Sequence, residues 1–260
     1  MSWIVIAALI GSGLVVGFIN TLAGGATIIS LSLFMLLGLP ANVANGTNRI
    51  AVFFQTLVSV GSFKKQKVLD TRKGLILSIP TVIGSVIGAR IAIEMNEKII
   101  ERAFAVIMLV MLFFVLYKPQ LWLKGSEKVV SGKMKPWQVI LFFFIGIYGG
   151  FVHVGVGYFI LAGVVLGAGY DLVKANALKV LIVLAYVPFT LVIFMWNGQV
   201  NYTYGLIHAI GNVIGAYVAS KIAVNKGANF IRWFMVAIII IFSAQLLGLI
   251  DFKSWISHCI

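Results

Sequence analysis

An apolar stretch broken by glycines, spotted with amides and present twice constrains this chain more than any other feature. Its first copy, GFINTLAGGATIISLSLFMLLGLPANVANGTNR, runs from Gly17 to Arg49. It is interrupted by Ala23-Gly24-Gly25-Ala26 and carries Asn20, Asn45, Thr47, Asn48 and Arg49. Glycines and amides at membrane depth leave polar groups unpaired unless they line a cavity or pack against protein. Adding 131 to the numbering carries Gly24 to Gly155, Ala44-Asn45 to Ala175-Asn176, Gly74 to Gly205 and Gly84 to Gly215. One offset through so many positions marks two copies of one unit, meeting around two broken, polar-spotted segments.

The surrounding sequence belongs in a bilayer. The chain of 260 residues is 61% hydrophobic and 10% charged, with a mean hydropathy of +1.08. Apolar runs near the length needed to cross ~30 Å of hydrocarbon recur throughout. A net charge of +13 raises the question of nucleic acid, but the basic residues sit in short connections between apolar runs, as in cytoplasmic loops. Nucleic acid is excluded on that ground. The single cysteine, Cys259, rules out an internal disulfide and gives no metal cluster. No Lys or Arg precedes Arg49, so the N-terminal apolar run reads as a retained segment rather than a leader.

Taken in order, the first unit is expected to have apolar segments over 3–19, 27–37, 43–63, 74–93 and 99–117. A basic cytoplasmic linker follows over 118–136. The second unit has segments over 137–152, 158–167, 173–196, 202–224 and 230–250. The organisation is thus a first transmembrane repeat (1–117), the linker, and a second repeat (137–260). Loop charge sets their relative orientation. Lys64–Lys73 holds five basic residues and one acid, whereas its counterpart Asn197–Tyr204 holds no charge. Arg90–Arg102 balances three bases with three acids, whereas its counterpart Lys221–Arg232 has three bases and no acid. Positive loops stay inside, so equivalent loops lie on opposite faces. The expected fold is an all-α polytopic membrane protein of two inverted-topology repeats, each with a glycine-broken first element followed by three spans. Inversion needs an odd number of crossings per unit, which the broken element satisfies either as two crossings or as a re-entrant hairpin.

Inverted repeats with discontinuous helices are a transporter pattern, with substrate held near the midplane where the breaks meet. Helix N-termini at such breaks suit an anion. Gly24 and Gly25 with Thr27 offer one, and Gly155 and Gly157 with Tyr158 offer another; the glycines serve close helix packing equally well. Arg49 and Lys179 read either as counter-charges for the anion or as side chains reaching toward headgroups. Asn45, Thr47, Asn48 and Asn176 read as ligand contacts or helix caps, and His153, inside the second break, as a packed residue or a proton carrier. His208, mid-span, is a similar case. No carboxylate falls where a proton relay or cation ligand would need one. No nucleophile–base pair, phosphate loop, metal motif or cofactor motif is present, so an enzyme is not expected.

The segment AGGAT, the run closing in LGLPANVANGTN, and the second-unit stretch GGFVHVGVGYFILAGVVLGAGYD together resemble the sulfite exporter TauE/SafE family. The similarity covers essentially the whole chain. Ala26 and Val156 interrupt fuller glycine runs, and the proline common in each short arm is missing. The resemblance implies a multi-pass permease of the cell membrane for sulfite or organosulfonates such as sulfoacetate. Its matching positions are Asn20, Gly24, Gly25, Thr27, Asn45, Thr47, Asn48, Gly155, Gly157 and Asn176. The expected partners are a small anion and the lipid bilayer, with a homo-oligomer allowed. Carrier, anion channel with the same lining, and subunit of a larger assembly remain open at this level.

Overall fold

A computed structural model describes residues 1–95 and 135–246, all of whose regular elements are helices. The span expected over 99–117 and most of the linker lie outside the described residues. Eight helices follow in order: α1 (Trp3–Leu22), α2 (Thr27–Leu36), α3 (Ala41–Lys65), α4 (Thr71–Glu94), α5 (Pro136–Phe151), α6 (Val156–Ala162, continuing through a π-helical turn over Gly163–Gly167), α7 (Leu172–Trp196) and α8 (Tyr202–Leu246). Local chemistry sets most of their ends. Ser2 caps α1, Asp70 caps α4 and Asp171 caps α7, each by accepting a backbone N–H, the usual use of a short polar side chain at that position. Pro136 opens α5, where its missing N–H costs nothing. Gly24 and Gly25, with φ of +97° and +88°, turn the chain from α1 into α2 through a backbone region that side chains resist. Gly227 (φ +73°) interrupts α8, where the sequence predicts a connection at 225–229.

The duplicated plan is visible in the helix bounds. α3 and α7 begin at 41 and 172 and end at 65 and 196, each pair 131 apart. The broken elements run at a different step: α1 and α5 end at 22 and 151, and α2 and α6 begin at 27 and 156, each pair 129 apart. The two extra residues enter at the π-helical turn Gly163–Gly167 of the second unit, for which α2 has no equivalent. By helix position, therefore, Gly155 answers Ala26 rather than Gly24.

The two units interleave. α1 packs on α8 and α4 packs on α5, so each first helix lies against the last described helix of the other unit. Small residues make both contacts: a Cβ built on Gly17 would sit 2.2 Å from the Asn212 carbonyl oxygen, and one on Gly84 would sit 2.1 Å from that of Phe143. In lipid, where burial of apolar surface gives little drive, such close backbone approach is how helices hold together. Loop neighbours follow the same exchange. Gln66, after α3, donates to the Ser220 carbonyl, which brings the basic loop of the first unit to Lys221 of the second. Gln199, after α7, donates to the Ile93 carbonyl at the end of α4. The loops 64–73 and 197–204 thus lie at opposite ends of α4.

α1, α4, α7 and α8 are long and apolar enough to cross a membrane; α2, α5 and α6 are shorter apolar helices. Leu75, Ile79, Ile83 and Ile87 form an exposed ridge on α4, matched at 131 by Leu206, Ile210, Ile214 and Val218 on α8. Continuous exposed apolar ridges of this kind face lipid, not water.

Candidate functional site

The site grows from the two glycine breaks, which the fold presses together. A Cβ on Gly24 would meet the Gly157 Cα at 3.1 Å, and one on Gly25 would meet the Tyr158 ring at 2.6 Å. α1 and α5 end at these breaks with carbonyls that lack intrahelical donors. The opposite unit supplies the donors. Asn176 Nδ2 donates to the Leu22 carbonyl (2.7 Å), and Lys179 Nζ to those of Asn20 and Thr21 (2.9 and 3.0 Å). Reciprocally, Asn45 Nδ2 donates to the Phe151 carbonyl (2.9 Å), and the Arg49 guanidinium to those of Gly149 and Gly150 (3.3 and 2.6 Å). Each unit therefore caps the broken helix of the other with one amide and one cation, and a cation is favourable at a helix C-terminus.

This pairing corrects one of the two sequence readings of Arg49 and Lys179. They do not reach toward headgroups: Arg49 is 0% and Lys179 2% exposed. Arg49 also donates to Thr190 Oγ1 (2.9 Å) and lies 4.6 Å from the Phe194 ring centroid. An ion pair joins Lys174 and Asp171 at the surface, away from both breaks. Two buried cations thus stand at the breaks with carbonyl dipoles, and no described carboxylate, to balance them.

Beside Lys179 lies a partly open cavity with about 330 Å³ of space between its walls, the solvent at its mouth included. Seven of the sequence-predicted residues line it: Asn20, Gly24, Gly25, Thr27, His153, Gly157 and Lys179. Asn20 is already engaged, accepting from the Ala26 N–H (2.9 Å) and donating to Thr27 Oγ1 (3.3 Å), so it shapes the entry into α2. Thr27 keeps its own hydroxyl hydrogen, which no described acceptor takes. His153 Nδ1 lies 2.9 Å from the Tyr186 hydroxyl, and with Tyr186 as donor the ring hydrogen sits on Nε2. Lys179 spends two of its three N–H bonds on carbonyls. The wall is thus rich in donors.

The other predicted residues lie outside the cavity wall. Asn45, Asn176 and Arg49 are the crossed caps described above. Thr47 Oγ1 accepts the Asn201 N–H (2.9 Å) and fixes the loop before α8. Gly155 is the left-handed residue that opens α6. Tyr158 is buried with its hydroxyl unpartnered, and so is Asn48, with both side-chain amide atoms unpartnered. His208 is a structural residue, held by Ser30 Oγ at Nε2 (2.8 Å) and by the Leu9 carbonyl at Nδ1 (2.9 Å). Sequence reasoning missed Gln55 and Thr56, which line the cavity from α3. The available signal was helical spacing: 45, 48, 52, 55 and 59 share one face of α3 at steps of three and four.

Comparison with known proteins agrees with this architecture. Residues 9–246 match the family model described as sulfite exporter TauE/SafE. A probable membrane transporter protein of Sinorhizobium is 24% identical over 97% of each chain. One from Haemophilus influenzae is 23% identical over 93% of this chain and 94% of its own. YfcA of Escherichia coli K12, also a probable membrane transporter protein, is 25% identical over 89% of this chain and 85% of its own. No solved structure matches the chain significantly.

Proposed function

We propose that this chain, which belongs to the sulfite exporter TauE/SafE family and is a membrane transporter, carries small sulfur-containing oxyanions across the cell membrane by alternating access. Sulfite and organosulfonates of the sulfoacetate kind are the substrates, with export as the direction. The observation that carries the anion is the pair of buried cations, Arg49 and Lys179, with no carboxylate beside them among the described residues. Burying a charge without a counter-charge costs several kcal/mol. An arriving anion recovers part of that cost at Lys179, whose third N–H is free for it. The donors nearby suit oxyanion oxygens: the Thr27 hydroxyl at the start of α2, and Lys179 opposite. Alternating access is supported by the exchange of partners between the units, because moving one broken element against the other would shift the opening of the cavity toward the opposite face.

The test is thermal stability of the purified chain in detergent with sulfite, sulfoacetate, taurine, sulfate or chloride at matched ionic strength. A ligand that binds only the folded state raises stability with its concentration. Selective stabilisation by sulfite or a sulfonate is expected. Equal stabilisation by chloride, or none by any of the five, would refute the substrate class.

A further inference from the structure

Gln55 lines the cavity from the middle of α3, is 3% exposed, and its side chain makes no hydrogen bond to the protein. Its amide oxygen is closed off. The amide nitrogen, Nε2, is also without a partner but is not closed off, so it is the polar atom that Gln55 offers the cavity. Its neighbours on the wall are engaged: Asn20 is tied to Ala26 and Thr27, and Thr56 donates to the Val52 carbonyl. Buried polar groups are rarely left unpaired, and a donor open to a cavity points to an acceptor that arrives with the ligand. Gln55 and Lys179 hold different points of the wall. Lys179 is bound at the break, to the Asn20 and Thr21 carbonyls. Gln55 lies one turn of α3 before Ser59, whose hydroxyl meets that of Thr21 (3.2 Å), which sets it ~6 Å along the helix from the break. The two are at similar depth. Tyr170 joins the end of α3 to the start of α7 through Asp70 (2.7 Å), and Gln55 and Lys179 lie ten and seven residues inward from those ends. The same two helices line the cavity with Val52, Val180 and Val183.

We propose that Gln55 is a substrate-contacting, specificity-determining residue whose Nε2 donates to the end of an organosulfonate remote from its sulfonate group. This rests on the anion reading above and deepens it. The sulfonate oxygens lie toward Lys179 and Thr27, the connecting carbon lies against the valines, and a carbonyl or carboxylate oxygen on the next carbon accepts from Gln55. Sulfoacetate carries that acceptor. Taurine carries an ammonium there, which points hydrogens at a donor, and mismatches of this kind are how a site rejects a ligand of the right size. Sites built around a hydrogen bond also discriminate strongly against ligands that lack it.

Acetonesulfonate and methallylsulfonate make the matched pair for the test. Both are monoanions at neutral pH with the same heavy-atom shape, and they differ in C=O against C=CH2 on the carbon next to the sulfonate-bearing one. Their affinities for the purified full chain are measured by concentration-dependent thermal shift, for the wild type and for Gln55→Met, which keeps the side chain's length and loses the donor. Sulfite is titrated into the wild type alongside them. The wild type is expected to prefer acetonesulfonate by about tenfold, the size of one buried hydrogen bond. Gln55→Met is expected to bring the two affinities together or to reverse their order, methallylsulfonate being the less hydrated. The wild-type comparison needs no variant and so stands even if Gln55→Met does not fold. Binding of sulfite with no preference for acetonesulfonate in the wild type, or with neither sulfonate bound, would overturn the assignment while leaving the anion site intact. A preference for acetonesulfonate that survives in Gln55→Met, or loss of both sulfonates together in that variant, would overturn the role of Gln55. Binding of none of the three anions would overturn both this assignment and the anion reading beneath it.

Discussion

Lys179→Met separates the structural duty of this lysine from its duty to the anion. In the folded protein the ammonium makes two charge-assisted hydrogen bonds, to the carbonyls of Asn20 and Thr21. Each is worth about 1.5–3 kcal/mol, so the substitution removes about 3–6 kcal/mol of interaction. It also removes a cation buried without a carboxylate, a relief of several kcal/mol. The two effects offset, and the stability of the anion-free protein changes by no more than about 2 kcal/mol either way. The anion has no such compensation. Losing one charged hydrogen bond, at about 1.5–3 kcal/mol, weakens binding by about ten- to 150-fold. The assay is a sulfite titration read by thermal shift, with the anion-free melt as the stability reference. A variant that melts near the wild type but needs far more sulfite for the same shift agrees with the account. Sulfite affinity within about twofold of wild type would refute the placement of the anion at Lys179.

Other expectations follow from the same geometry. Asn45→Ala and Asn176→Ala each uncap one helix-end carbonyl outside the cavity wall, so each should cost about 1 kcal/mol of stability and change anion affinity less than Lys179→Met does, read in the same titrations. Gly17→Ala drives a Cβ into the Asn212 carbonyl, whereas a Cβ on Gly61 meets nothing within 4 Å. Gly17→Ala should therefore sharply lower the yield of folded protein in detergent, and Gly61→Ala should leave it unchanged. Asp70 caps α4, and the Lys73 N–H and then the Tyr170 hydroxyl hold its carboxyl below the usual carboxylate range. Its stabilisation is present above the ordinary carboxylate pKa and fades as pH falls through the lower folded value. The melting-temperature gap between wild type and Asp70→Asn should accordingly narrow as pH is lowered from neutral toward that range.

The third and seventh helices were legible because their apolar runs recur at one spacing in the sequence. The expected bounds of the third element in each unit fall within two residues of α3 and α7. The shift from 131 to 129 in the broken elements was not legible, because a π-helical turn absorbs residues without changing the apolar pattern. Arg49 and Lys179 were legible as cations but not as crossed caps. Their partners are backbone carbonyls from the other unit, and a carbonyl leaves no mark in a sequence. Gln55 was passed over because one amide just after the apolar run Ala51-Val52-Phe53-Phe54 breaks no pattern by itself. Only its place on the same face of α3 as Asn45 and Asn48, and the cavity that face meets, gives it meaning.

Counterflow in proteoliposomes tests the central claim most directly. Vesicles loaded with millimolar unlabelled sulfite or sulfoacetate are diluted into a trace of the labelled anion, with empty vesicles and chloride-loaded vesicles as controls. A carrier returns to the outside loaded and brings label in against its gradient. Transient, saturable accumulation of label, dependent on the internal sulfur anion and lost in Lys179→Met, is the predicted result. Label that equilibrates without overshoot would contradict alternating access, and vesicles indistinguishable from empty ones would contradict carriage of these anions.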